Sequence, residues 1–141
     1  MRIITQKELA DKLFDHPYAN NPDYHAAMSV VYISPDGKLL IGYWHAPAGE
    51  ITLDYGLNVE NIFLIEGSMT LENTNGEVAV GHAGDLLQCG GQNESVQCVV
   101  HEYVKALFIV YPQTEEDLAF VRKIEAENKP VCAAVLRKIL G

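Results

Sequence analysis

The chain has 141 residues, 48% of them hydrophobic, which suits one domain with a single sizeable core. Nineteen acidic residues against ten basic ones leave a net charge of −9, and no basic stripe is present with which to bind nucleic acid. No apolar run approaches twenty residues and no basic-then-apolar leader opens the chain, so we expect a cytoplasmic protein without a membrane partner.

The first element predicted along the chain is a helix from about residue 5 to 15. Thr5-Gln6-Lys7-Glu8 has the pattern of a capping box, in which a hydroxyl and a carboxylate bond to each other's backbone amides. Leu9, Leu13 and Phe14 would then share one helix face. We interpret that face as a packing surface against the rest of the protein.

The middle of the chain is predicted to form short antiparallel strands. Ten of the eleven glycines fall between Gly37 and Gly91, and Pro35-Asp36-Gly37 and Asn75-Gly76 are strong hairpin signals. Short apolar runs separated by such turns indicate a sandwich or barrel. The predicted strands are 28–33, 39–45, 50–55, 60–65, 68–72, 78–80, 85–89, 95–100 and 103–111.

A second helical region follows. Thr114 can cap a helix with an acidic first turn, and Leu118, Val121 and Ile124 form its apolar stripe. Asn128-Lys129-Pro130 ends this helix, and the proline can open a last one. The apolar positions of that last helix are Val131, Val135 and Ile139.

These elements predict one domain over residues 1–141, with a barrel at about 27–112 and terminal helices at about 5–15 and 114–140. The helices are interpreted as packing against the barrel or against a second subunit. Cys89, Cys98 and Cys132 are an odd number without a C-x-x-C pair, so we expect buried reduced thiols and neither a disulfide framework nor a zinc knuckle.

A series of motifs between residues 42 and 111 then occurs in a recognisable order. They are Gly42-Tyr43-Trp44, Pro47-Ala48-Gly49, Leu53-Asp54-Tyr55, the stretch from Glu60 to Gly67, Asn75-Gly76 and Ala83-Gly84-Asp85. This order resembles the cupin superfamily, and within it the small single-domain group that includes ethanolamine-utilisation and ureidoglycine-processing cupins. The resemblance implies an all-β, double-stranded β-helix (jelly-roll) barrel with short N- and C-terminal helices, and a homodimer.

Cupins generally carry two histidines one residue apart, then a glutamate and a glycine, with another histidine in a second motif. Alternate residues of a strand face the same side, so these ligands converge on one interior metal. Here the glutamate falls on Glu60 and the second-motif histidine on Ser95. The first two histidine positions fall on Leu53 and Tyr55, or on Asp54 and Gly56 with the shorter spacing.

The usual metal ligands are therefore absent from their positions, and we predict neither a metal nor another cofactor. His16, His25, His82 and His101 show no metal-ligand spacing. A site built from His45, His101 and Glu60 is conceivable, but the strand order does not favour it.

Glu60 is the candidate catalytic residue. A carboxylate pointing into a largely apolar barrel has a raised pKa, because burial penalises its charged form. Such a group acts as a general acid or base, or it binds a substrate amine. The alternative is a structural glutamate satisfied by tyrosine hydroxyls at the barrel mouth.

The candidate ligand-binding residues are Tyr55, Asp54, Tyr43, His45 and Gln97. Tyrosine offers a polar tip on an apolar ring, which suits a pocket for a small polar molecule. Core packing is the alternative for Tyr43, and a surface role is the alternative for His45. Strand alternation makes Ile51, Leu53 and Tyr55 the inward set, which would put Asp54 outside. Gln97 stands where relatives often have a tryptophan.

Three functions are compatible with these residues. The first is a cupin-type protein that binds a small polar metabolite without the usual metal. The second is an isomerase, hydrolase or lyase that uses Glu60 as acid–base, with or without a divalent metal held by unusual ligands. The third is a structural protein whose pocket is filled by side chains and whose dimer surface carries the function.

Overall fold

The computed structural model describes residues 1–128. They form one antiparallel sheet of seven strands with a short helix near each end. Among these residues, no helix combines the length and apolarity required to cross a membrane. The elements are α1 Gln6–Asp11, β1 Phe14–His16, β2 Ala26–Ile33, β3 Leu40–Gly56, β4 Val59–Asn73, β5 Val78–His82, β6 Leu86–Gly90, β7 Glu94–Tyr111 and α2 Glu115–Glu127.

The strand order is β1-β2-β3-β7-β4-β5. Strand β6 also pairs with β4, at residues 59–63, whereas β5 pairs with residues 68–72. Three strands of 15 to 18 residues carry the sheet, namely β3, β4 and β7. The nine predicted strands are wrong in number, because three pairs of them are continuous. Residues 47–49, where we predicted a break between two strands, form a bulge instead. Strand β3 remains hydrogen-bonded to β7 on both sides of it.

The core lies on the inner side of the bent sheet. Alternate residues of each strand point inward, so the apolar positions of β3, β4 and β7 face one another. Fully burying such a side chain contributes about 1.5–3 kcal/mol. The largest fully buried hydrophobic side chains are Ile51, Leu64, Met69, Val96, Val100, Val104 and Cys98.

Gly67 shows why the motif that begins at Glu60 ends in glycine. It lies at a bulge in β4 with a φ of +86°. A side chain at this position would also collide with the carbonyl oxygen of Tyr103 on β7. Both the backbone conformation and the close approach of the two strands therefore require glycine.

The predicted N-terminal helix is too long. α1 ends at Asp11, and Phe14 begins strand β1, where it pairs with Met28. A single short helix gains little stability by itself, so sheet pairing wins over helix continuation. Thr5 caps α1 by accepting from the Glu8 amide, but the Glu8 side chain bonds to Arg2 and Lys12.

The prediction for α2 is confirmed over the described residues. Thr114 and Asp117 form a reciprocal capping box, and Leu118 and Ile124 are buried. The predicted last helix lies outside the described residues, so the single domain over 1–141 stays a prediction. The predicted homodimer also stays a prediction.

Candidate functional site

A cavity of about 290 Å³ lies on the inner side of the sheet, and α2 forms one side of its wall. Its wall combines apolar and aromatic side chains with a few polar groups. The aromatic members are Tyr18, Trp44, Tyr55, Phe108 and Phe120. The polar and ionisable members are His16, Thr52, Asp54, Asn58, Glu60, Gln113 and Asp117. Such a composition is typical of small-molecule sites.

The end of β3 brings Tyr55 and Asp54 to this cavity in different ways. Tyr55 is 7% exposed and points inward together with Ile51, as strand alternation predicts. Asp54 is exposed at the rim, where its carboxylate accepts a hydrogen bond from the Ser95 hydroxyl at 2.7 Å. Ser95, the second-motif histidine position, is therefore engaged by Asp54.

Glu60 lies in β4 between Cys89 of β6 and Val110 of β7, so its strand is paired on both sides. Its side chain lines the cavity and is half-buried. Burial raises the pKa of Glu60 to about 7, and interaction with the Tyr55 hydroxyl acts in the opposite direction. No described Lys or Arg lines this cavity. Within the described residues, the carboxylate therefore has no cationic side chain beside it.

Tyr55 and Cys89 supply neutral hydrogen-bonding groups next to Glu60. The Cys89 thiol donates to the Tyr55 hydroxyl, with 3.1 Å between sulfur and oxygen. Burial raises the pKa of Cys89 to about 12 and raises that of Tyr55 as well. Both groups therefore stay protonated at neutral pH, so Cys89 is not a thiolate nucleophile.

Tyr18 and His16 belong to the cavity wall, and reasoning from the sequence missed both. The indole Nε1–H of Trp44 donates to the Tyr18 hydroxyl at 3.0 Å, and the rings of His16 and Tyr18 meet edge to face at 4.9 Å. Burial lowers the pKa of His16 to about 4, so its imidazole is neutral. Its Nδ1 is buried without a hydrogen-bond partner.

Strand β1 positions His16, whereas Tyr18 reaches the cavity because the loop at 17–25 is fastened along β3. The Asn20 amide donates to the Thr52 carbonyl at 2.8 Å, and the Thr52 amide donates back to Asn20 at 3.2 Å. The Tyr24 hydroxyl donates to the Pro47 carbonyl at 2.6 Å. The side chains of Asn20 and Tyr24 thus make hydrogen bonds to the backbone of β3 in place of a neighbouring strand. No periodic pattern in the loop signals this.

Tyr43 and His45 do not line the cavity. They flank Trp44, which does, and successive side chains of a strand point to opposite faces. Their rings meet edge to face at 4.3 Å. Burial and the nearby Lys105 ammonium lower the pKa of His45 to about 4, and both of its ring nitrogens lack hydrogen-bond partners.

Gln97 also lies outside the cavity wall. Its amide group accepts from the Thr52 hydroxyl at 2.9 Å and donates to the Glu50 carboxylate at 2.7 Å. These bonds occupy both ends of the amide. Gln97 is placed to tie β7 to β3, opposite Thr52 in the register.

The residues present do not fit the cupin metal. Within residues 1–128, no three His, Cys, Asp or Glu side chains are grouped closely enough to hold an ion. The conceivable site of His45, His101 and Glu60 is not assembled, since His45 does not share the cavity with Glu60. His101 is exposed, and both its ring nitrogens bond to Ser68 and Thr70.

No protein-family model matches the chain, and no curated protein matches it by sequence. Solved structures do match it. Ectoine synthase from P. lautus is 18% identical with a TM-score of 0.65, covering 94% of this chain and 91% of that one. The Cnp3 cupin domain of Schizosaccharomyces pombe is 12% identical with a TM-score of 0.55, covering 68% and 71%. The chain has the cupin fold.

The EutQ protein of Clostridium difficile shares this cupin fold at 14% identity and a TM-score of 0.56, covering 79% of this chain and 81% of that one. The predicted resemblance to ethanolamine-utilisation cupins is thereby supported at the level of the fold. The all-β jelly-roll prediction is confirmed. Because cupins with different names share this architecture, the function must be argued from the cavity.

Proposed function

We propose that this cupin-fold chain binds a small molecule in the cavity, with the Glu60 carboxylate as its main polar contact and without the usual cupin metal. The observation that carries the proposal is a half-buried carboxylate that lines open volume, in a wall to which residues 1–128 contribute no Lys or Arg. A group of this kind is costly to bury, so a structural role alone gives no reason to keep it there.

The cavity supports the proposal by its size and wall. A volume of about 290 Å³ lies near the lower end of the range for small-molecule sites. The aromatic rings supply apolar contact area, while Tyr18, Tyr55 and Glu60 converge from different strands and loops to orient a polar group.

Trp44 makes occupancy measurable, because it is the single tryptophan of the chain and lines the cavity. A panel of small amines, alcohols, amides and carboxylates should contain compounds that change Trp44 emission and raise the melting temperature. Val121→Phe would place a ring in the cavity and abolish both effects. Val80→Phe, which adds the same atoms at an exposed position of β5, should abolish neither.

Two results of this screen would contradict the proposal. In one, no compound of the panel changes either signal at millimolar concentration. In the other, the changes persist unaltered in Val121→Phe, which would locate binding elsewhere on the protein.

A second candidate is an enzyme that transfers a proton, such as an isomerase, hydrolase or lyase. The specific observation is that Glu60 has a pKa of about 7 and lies next to the protonated Tyr55 hydroxyl. A carboxyl group titrating near neutral pH is suited to be a general base or acid, and the hydroxyl is suited to donate to a developing oxyanion.

Once a compound from the panel is known to bind, Glu60→Gln distinguishes catalysis from binding alone. An enzyme converts that compound, and Glu60→Gln lowers turnover at least a hundredfold even at concentrations that saturate the change in Trp44 emission. A compound that is bound but recovered unchanged after prolonged incubation contradicts the enzyme.

A further inference from the structure

We infer that the ligand is a small organic cation, whose charged nitrogen pairs with Glu60 and whose apolar body lies against the aromatic wall. This inference rests on the proposed function, since it names the class of molecule that the cavity takes.

The first argument is the balance of charge around the cavity. Its wall contains the carboxylates of Asp54, Glu60 and Asp117, and no described Lys or Arg. His16 adds no positive charge, because burial keeps its imidazole neutral. An anionic ligand would meet only like charges and would leave Glu60 unpaired. A cationic ligand supplies Glu60 with the opposite charge that the described wall does not offer.

The second argument is the chemistry of the wall. Trp44, Tyr55 and Phe108 present aromatic rings to the same volume as Glu60. Ring faces attract cations, and the attraction strengthens where water is excluded. A primary or substituted amine with a short hydrocarbon body uses both the carboxylate and the rings. A neutral polyol would leave much of this surface without a matching partner.

The two arguments together predict a coupling between binding and the ionisation of Glu60. An alkylamine is protonated throughout pH 5–8, whereas the Glu60 carboxyl loses its proton near pH 7. Affinity for the cation should therefore rise about tenfold per pH unit below pH 7 and level off above it. The other ionisable groups facing Glu60 or its cavity are Tyr18, Tyr55, Cys89, Cys98, His16, Asp54 and Asp117.

The two tyrosines, the two cysteines and His16 do not produce the same pH dependence. Burial raises the pKa of Tyr18 and Tyr55 and brings that of Cys89 and Cys98 to about 12, so all four stay neutral between pH 5 and 8. The pKa of His16, at about 4, lies below the window. A rise in affinity between pH 5 and 7 therefore reports on the carboxylates of the wall, and its loss in Glu60→Gln assigns it to Glu60.

The test compares cyclohexylamine, cyclohexanol and cyclohexanecarboxylate, which share one ring and differ in charge. Trp44 emission and calorimetry follow binding to the full chain at pH 5, 6, 7 and 8 in citrate–phosphate buffer, because Tris is itself an amine. We expect cyclohexylamine at pH 8 to bind at least tenfold more tightly than cyclohexanol and to weaken toward pH 5. Cyclohexanol should show no such trend, and the carboxylate should bind least.

Glu60→Gln should reduce cyclohexylamine to the affinity of cyclohexanol and leave cyclohexanol itself unchanged. Glu72→Gln is the matched control, since Glu72 is an exposed residue of the same strand. The pH series on the unaltered protein needs no variant, so the inference stays testable if Glu60→Gln does not fold.

Equal affinities for the amine and the alcohol, tighter binding of the carboxylate, or a flat pH series for the amine would each overturn the cationic ligand while leaving small-molecule binding intact. Absence of binding by all three compounds would also overturn it. The separate screen with Val121→Phe then decides whether the cavity binds any small molecule.

Discussion

Glu60→Gln should make the protein more stable at alkaline pH and leave it unchanged at acid pH. Glu60 has a pKa of about 7 in the folded protein, against 4.5 in its ordinary state. As the pH rises from 4.5 to 7, the unfolded chain releases this proton first, so the folded state loses stability. Each pKa unit is worth about 1.4 kcal/mol, which sets an upper bound of about 3 kcal/mol. Glu60 is partly exposed to solvent, which screens its charge, so we expect about 2 kcal/mol.

Urea unfolding measures this difference at pH 4.5, 6, 7 and 8 for the unaltered protein, Glu60→Gln and the surface control Glu72→Gln. Burial lowers the pKa of His16 and His45 to about 4. These two residues therefore reduce the stability of the folded protein in the opposite direction, as the pH falls from 6.5 toward 4. Their contributions cancel when the free energy of unfolding of the unaltered protein is subtracted from that of Glu60→Gln at each pH. A difference that is negligible at pH 8, or equal at pH 4.5 and 8, would show that Glu60 does not ionise with a raised pKa.

Three other substitutions test the fold around the cavity. Gly67→Ala should lower the free energy of unfolding by about 2–4 kcal/mol in chemical denaturation, because it combines a positive φ with a collision at the Tyr103 carbonyl; a loss below 0.5 kcal/mol contradicts this. His45→Phe should stabilise by about 1 kcal/mol at pH 8 and by more at pH 5, since it removes unpartnered ring nitrogens and a group that must stay neutral; greater stabilisation at pH 8 than at pH 5 is the contrary result. Asn20→Ala should cost about 1–2 kcal/mol and speed hydrogen exchange of the Thr52 amide, whose acceptor it removes; unchanged exchange would mean that the loop is held by other contacts.

Local patterns predicted the class of fold well. Hairpin residues, short apolar runs and the acidic turn after Thr114 each describe a few consecutive residues, so they are readable without knowing the tertiary partners. Strand alternation likewise predicted that Ile51 and Tyr55 face inward together. Where a neighbouring strand decided the outcome, the prediction failed. The expected turn at 47–49 is a bulge because β7 remains hydrogen-bonded on both sides of it.

The candidate site divides in the same way. Glu60, Tyr55 and Asp54 line the cavity, whereas Tyr43, His45 and Gln97 lie elsewhere. Tyr43 and His45 each lie one position from Trp44, so their side chains point to the opposite face of the strand. The sequence alone did not decide which face is inward. Gln97 instead bonds across to β3, through contacts that only the paired strands create.

The amino-acid sequence by itself determined an all-β fold of cupin type and an acidic side chain where the motif requires one. Only the tertiary structure decided what surrounds that carboxylate. Asn20 meets Thr52 across 32 residues of chain, and through such contacts Tyr18 joins the cavity wall, to which no described Lys or Arg contributes. Residues this far apart approach one another only when the whole sheet has formed, so no local pattern records their meeting.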